Sequence, residues 1–141
     1  MAINTSKVLV GGIVGGIVAN VIDFVTNTYV TADMQKAAMT KLNLPTTPAG
    51  TQIAGFVALD FVWIIANVWL YAAIRPRFGP GPKTAAYAGI VSWVIGTVVA
   101  GFFSLLGLFG MNLFIVGSIC ALINSLVSTI VGARFYTEET A

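Results

Sequence analysis

"VLVGGIVGGIVANVIDFVTNTYV", Val8–Val30, decides the fold. It runs for 23 residues with one charge, Asp23. A helix needs roughly 20 apolar residues to cross the hydrocarbon of a bilayer. A barrel strand would instead alternate apolar and polar positions over about 10 residues. This run is apolar on nearly every side, so a transmembrane helix is expected. Its length, the acid within it and the lack of a small-residue cleavage site after it argue against a cleavable signal peptide.

Three further runs are of the same kind. The spans are expected near Val8–Val30, Thr51–Ile74, Thr84–Phe109 and Asn112–Tyr136. Composition agrees: 57% of the 141 residues are hydrophobic and 9% charged, against roughly 25% charged in a soluble domain. Mean hydropathy is +0.92. The expected fold is all-α: one integral membrane domain, a four-helix transmembrane bundle.

The loops set the orientation. In a four-span hairpin topology Lys7, Arg75, Arg77, Lys83 and Arg134 fall on one side, and Lys36 and Lys41 on the other. Basic residues mark the cytoplasmic side, so both termini are expected there. The turn around Gly107–Asn112 is short and uncharged. The outer loop, Thr31–Gly50, carries Met34, Ala38 and Leu42 at spacings of four, the pattern of a short amphipathic helix on the outer interface. Pro45 and Pro48 end it.

Small residues repeat every four positions. Gly12 and Gly16 in span one, Gly96 and Ala100 in span three, and Gly117 and Ala121 in span four mark helix faces where backbones can approach closely. Such stripes serve packing within one bundle or docking of another subunit. Spans one and three share a "GIV" triplet, Gly12–Val14 and Gly89–Val91.

The polar residues inside the spans are the candidate site. Gly12, Gly16, Asn20, Asp23 and Asn27 share one helical face, as do Gln52, Phe56, Asp60, Trp63, Asn67 and Tyr71 in span two. Asp23 lies sixteen residues after Lys7, and Asp60 fifteen before Arg75. Helical rise puts them roughly 24 and 22 Å from the same side. The two carboxyls are therefore expected to meet, with Asn20 a turn below. Asn67 and Asn124 are expected to form a second polar level, about 12–15 Å from the basic ends. No lysine or arginine reaches the acids. An isolated carboxylate in hydrocarbon costs several kcal/mol, so two adjacent carboxyls favour sharing a proton. Interhelical hydrogen bonding, a polar site for a proton, cation or small ligand, and contact with another subunit or cofactor are all compatible with these residues.

Between spans two and three lies "AAIRPRFGPGPKTAAYAG", Ala72–Gly89. Arg75, Arg77 and Lys83 can reach lipid headgroups, and the prolines and glycines make a stiff reversal. The stretch is not a phosphate-binding loop: proline precedes Lys83, and prolines remove the N–H donors such a loop needs. Together with the polar first span and Trp93, Leu70–Trp93 resembles a group of small bacterial four-span membrane proteins of unknown function. The resemblance implies a bacterial inner-membrane location, and it carries no activity or catalytic residues.

Several functions are disfavoured. Net charge is only +2, too little for a nucleic-acid footprint. The chain has no histidine, which removes the commonest metal ligand and general base. Cys120 is the single cysteine, placed as a packing residue. An enzyme is not expected, and no cofactor is assigned. The expected role is an accessory or scaffolding subunit of a membrane assembly, in contact with the lipid bilayer and with other membrane subunits or itself. The alternative is a small homo-oligomeric transporter or channel built on Asp23 and Asp60.

Overall fold

The computed structural model describes residues 3–138. Helix α1 spans Thr5–Val25 and runs on through a π-helical turn, Thr26–Val30, into α2, Ala32–Lys41. Helices α3 (Gly50–Phe78), α4 (Pro82–Leu105) and α5 (Met111–Ala133) follow, with no strand among the described residues. Four helices are long and apolar enough to cross a membrane: α1 with its π-helical extension, α3, α4 and α5. The protein is a multi-pass membrane protein, and α2 lies where the outer loop was expected to hold a short helix.

Local signals place the ends. The Asn4 side chain accepts the Lys7 N–H at 3.1 Å and starts α1. Gln52 accepts the Ala49 N–H at 2.8 Å and starts α3. Helix α3 runs through Pro76 and stops at Gly79. Gly79 and Gly81 both take positive φ, +84° and +128°, and Pro82 opens α4, the position where a missing N–H costs nothing.

Each long helix packs beside two others, in the ring order α1, α3, α4, α5, with α3 and α5 also touching across the middle. The first and last helices begin and end together, since the Asn4 N–H donates to the Tyr136 hydroxyl at 3.4 Å. This is the terminal end of the bundle, and α2 lies at the other, the loop end.

The two ends are packed differently. In the terminal half the backbones of α1 and α5 touch. A Cβ added to Gly11 would lie 2.5 Å from the Gly132 carbonyl oxygen, and one added to Gly15 would lie 2.6 Å from that of Ser128. Gly12 and Gly16 instead make room for the Ile65 and Phe61 side chains of α3. Val8, Ile64, Val68, Tyr71, Ala72, Ala85 and Ala88 fill the core of this half. Towards the loop end the helices separate. The first ten residues of α3, Gly50–Leu59, are all exposed, as are most of α4 beyond Val94 and the Phe102–Phe103 pair. The glycine pairs thus pull one half of the bundle tight, and nothing equivalent closes the other.

Candidate functional site

The polar residues meet where the tight half ends. Helix α1 climbs from the terminal end while α3 and α5 descend towards it. Side chains tilt towards the N-terminus of their own helix, so those of α1 lean down and those of α3 and α5 lean up. Asp23 and Asp60 are brought together in this way.

Asn124 completes the cluster. Its Nδ2 donates to Asp23 Oδ1 at 2.6 Å and to the Ala19 carbonyl at 3.2 Å, and its Oδ1 accepts from Ser128 at 2.8 Å. Asn20 turns to the backbone instead, donating to the carbonyls of Gly16 (2.9 Å) and Val57 (3.5 Å). Asn67 is apart: its Nδ2 donates to Thr129 Oγ1 at 3.0 Å, with both residues buried. Asn67 and Asn124 therefore do not share one level. The register of α1 on α5, set by the glycine contacts, puts Asn124 beside Ala19, and its upward tilt carries it to Asp23.

Other polar contacts stitch α4 to α5. Ser92 and Ser125 pair at 3.1 Å, and Ser125 also donates to the Gly89 carbonyl at 2.8 Å. The Trp93 indole N–H donates to the Ser118 carbonyl at 2.8 Å. The signal for the serine pair is its place on the small-residue stripes, where the helices run close enough for hydroxyls to meet.

A cleft of about 150 Å³ opens above the cluster, towards the loop end. Asp23, Thr26, Asn27, Thr31 and Gln35 line one wall, and Leu113, Gly117, Cys120 and Ala121 of α5 line the other. The polar wall is internally braced. Gln35 Nε2 donates to Asn27 Oδ1 at 2.6 Å and to Thr31 Oγ1 at 2.8 Å. Thr26 lies one turn beyond Asp23, and Thr31 and Gln35 continue the steps of four through Asn27; span one was expected to end at Val30, so its polar face was not followed to them.

The small residues divide accordingly. Gly12 and Gly16 lie in tight helix contacts, and Gly96 faces the ring of Trp63 at 3.4 Å. Ala100 is half-buried. Gly117 has no atom within 4 Å of an added Cβ, and Ala121 is exposed on the cleft wall. These two leave space rather than fill a contact within the chain.

Of the basic residues set for lipid contact, Arg77 and Lys83 are exposed. Arg75 turns inward. Its guanidinium stands over the Tyr136 ring at 5.6 Å from the centroid and lies 3.6 Å from Glu138. Tyr136 meets Tyr71 edge-on, and the Tyr71 hydroxyl accepts the Gly81 N–H at 3.2 Å. Arg75 thus ties the end of α3 to the segment after α5.

Among the described residues, no group of three or more His, Cys, Asp or Glu side chains lies close enough to hold a metal ion. In comparison with known proteins, the chain matches no family model, no curated protein and no solved structure. The resemblance carried by Leu70–Trp93 therefore stands only in its coarser form, a small protein with four helices of membrane-crossing length.

Proposed function

We propose that this chain is an accessory or scaffolding subunit of a bacterial inner-membrane assembly, with both termini in the cytoplasm. One observation carries the reading: in the terminal half, the polar side chains within the spans are used up in contacts with one another. Asn67 is bound to Thr129 and Ser92 to Ser125 across helices, and Ser128 to Asn124 within α5. Around them Ile64, Val68, Tyr71 and Ala72 fill the interior. A transport pathway needs polar groups continuing across the membrane, and this half offers an apolar plug. The loop half, in contrast, leaves long helix faces uncovered for lipid or for neighbouring subunits.

Native mass spectrometry of the protein released gently from its own membranes tests this. Reproducible complexes with other chains support the subunit role and identify the partners. A lone monomer or a homo-oligomer overturns it.

The second reading is a small homo-oligomeric transporter. The Asp23–Asp60 pair beneath an open cleft favours it, since paired intramembrane carboxyls are common in proton- and ion-coupled pathways. Uptake by the purified protein in sealed vesicles, lost on Asp60→Asn, would support this reading over the first.

A further inference from the structure

We infer that the cleft between the loop-end turns of α1, α2 and α5 binds a small organic cation, a primary ammonium group on a short alkyl chain. The inference is independent of the subunit role. It rests on the two unlike walls of the cleft, its size and the charges around it.

The polar wall presents Asp23, with hydroxyls from Thr26 and Thr31 and amides from Asn27 and Gln35. The facing wall, Leu113, Gly117, Cys120 and Ala121, is apolar or weakly polar. A ligand that fills this space needs a polar head and a hydrocarbon body. The sign of the head follows from the basic residues. None of the seven lysines and arginines in the chain lines the cleft. Lys41 Nζ is engaged with the Gly107 carbonyl at 3.2 Å. An anionic head would face Asp23, with Asp60 behind it, and no countercharge. A cationic head supplies the charge that both carboxyls lack.

Size and donor set favour an organic cation over a bare metal ion. A water takes up about 30 Å³ in the liquid, and a protein cavity of about 150 Å³ holds a molecule the size of benzene. A naked cation would lie against an α5 wall with almost no oxygen ligands, whereas metal sites surround the ion with donors. An ammonium group needs acceptors on one side only. Its alkyl chain can then lie along Gly117 and Ala121, where the missing side chains leave room. The same head group is found on free alkylamines and on ethanolamine phospholipids, and the loop end is open to both.

The test uses the purified full chain in phosphatidylcholine nanodiscs at fixed pH, with n-butylammonium as the probe and n-butanol as the neutral control. A ligand that binds only the folded state raises the midpoint of thermal unfolding in a saturable way. The expected result is such a rise with n-butylammonium and none with n-butanol. In Gly117→Leu the rise is lost while the midpoint without amine is not lowered, because the Cβ enters open space and leucine is the better helix former. Asp23→Asn, which keeps a polar partner for Asn124, also loses the rise. Repeating the titration with phosphatidylethanolamine in the nanodisc separates the sources: a rise now abolished identifies the lipid head group, and an unaltered rise a free amine. No rise, an equal rise with n-butanol, or an undiminished rise in Gly117→Leu overturns the site.

Discussion

Gly11 and Gly132 each occupy the space where the other would carry a side chain. An added Cβ on Gly11 falls 2.5 Å from the Gly132 carbonyl oxygen, and one on Gly132 falls 2.7 Å from that of Gly11. The contact repeats a turn later, between Gly15 and Ser128. Lipid tails are as apolar as leucine, so helices in a membrane associate through close packing rather than escape from water. Backbone contact of this kind brings the facing atoms within reach of dispersion forces along the whole terminal half.

Gly15→Val should therefore separate α1 from α5 and destabilise the fold by about 1–3 kcal/mol, the usual cost of overpacking. Gly117→Ala, on the same kind of stripe but facing open space, should cost nothing and should stabilise the helix by about 0.5–1 kcal/mol. Thermal unfolding of the two variants in detergent checks this. Equal losses would mean that both stripes are packed.

The contact between Asn124 and Asp23 should be worth measuring as a pair. Asp23→Asn keeps a hydrogen-bonding side chain opposite Asn124 and should preserve folding, whereas Asp23→Leu should destabilise it. A double-mutant cycle of Asp23→Leu with Asn124→Leu should give a coupling of about 0.6 kcal/mol, the average for hydrogen bonds between membrane helices, and no more than about 1.7. A coupling indistinguishable from zero would show that the two side chains act separately.

At the terminal end, Arg75 is held by an aromatic face and a carboxylate. Replacing Glu138 by Gln should cost little, because partly exposed ion pairs contribute about 0–1 kcal/mol. Replacing Arg75 by Ala should cost more, since it also removes the guanidinium and its stem from Tyr136. Limited proteolysis should then cut sooner after Tyr136 in Arg75→Ala than in Glu138→Gln. The reverse order would place the main tie on the carboxylate.

The proposed orientation can be read by labelling. With Cys120 replaced by Ala, a cysteine at Asn43 should react with a membrane-impermeant maleimide on intact cells, and one at Thr137 only after permeabilisation. Asn43 and Thr137 are both exposed, at opposite ends of the bundle. The opposite pattern would invert the topology.

The four spans were legible because hydropathy is a property of each residue and needs no partner. The meeting of Asp23 and Asp60 was legible for a similar reason: helical rise fixes depth once the basic ends are known. The position of Asn124 was not. It depends on how far α5 slides along α1, and that is decided by contacts between glycines on different helices. The cleft was hidden for another reason. Span one was expected to end at Val30, so the Asp23 face was followed only to Asn27, although the next steps of four are Thr31 and Gln35, and the π-helical turn at Thr26–Val30 carries the helix on to them. Gly117 and Ala121 matched a packing motif as well as Gly12 and Gly16 did. A small side chain permits close approach without requiring it.

The π-helical turn also has a consequence for how the segment tolerates change. In an α-helix each residue advances the chain by about 100° around the axis, and π-helical turns are typically single insertions within one. The bond from the Thr31 N–H to the Thr26 carbonyl, 2.9 Å long, closes the wider ring. Removing one residue there would let the segment relax to ordinary helix while α2 keeps close to its present direction, because the wider ring absorbs one extra residue; Gln35 would then stand seven residues after Asn27, still on its face. The wider ring, more than the identity of any one of its residues, keeps that amide pointed at Asn27 despite the extra residue.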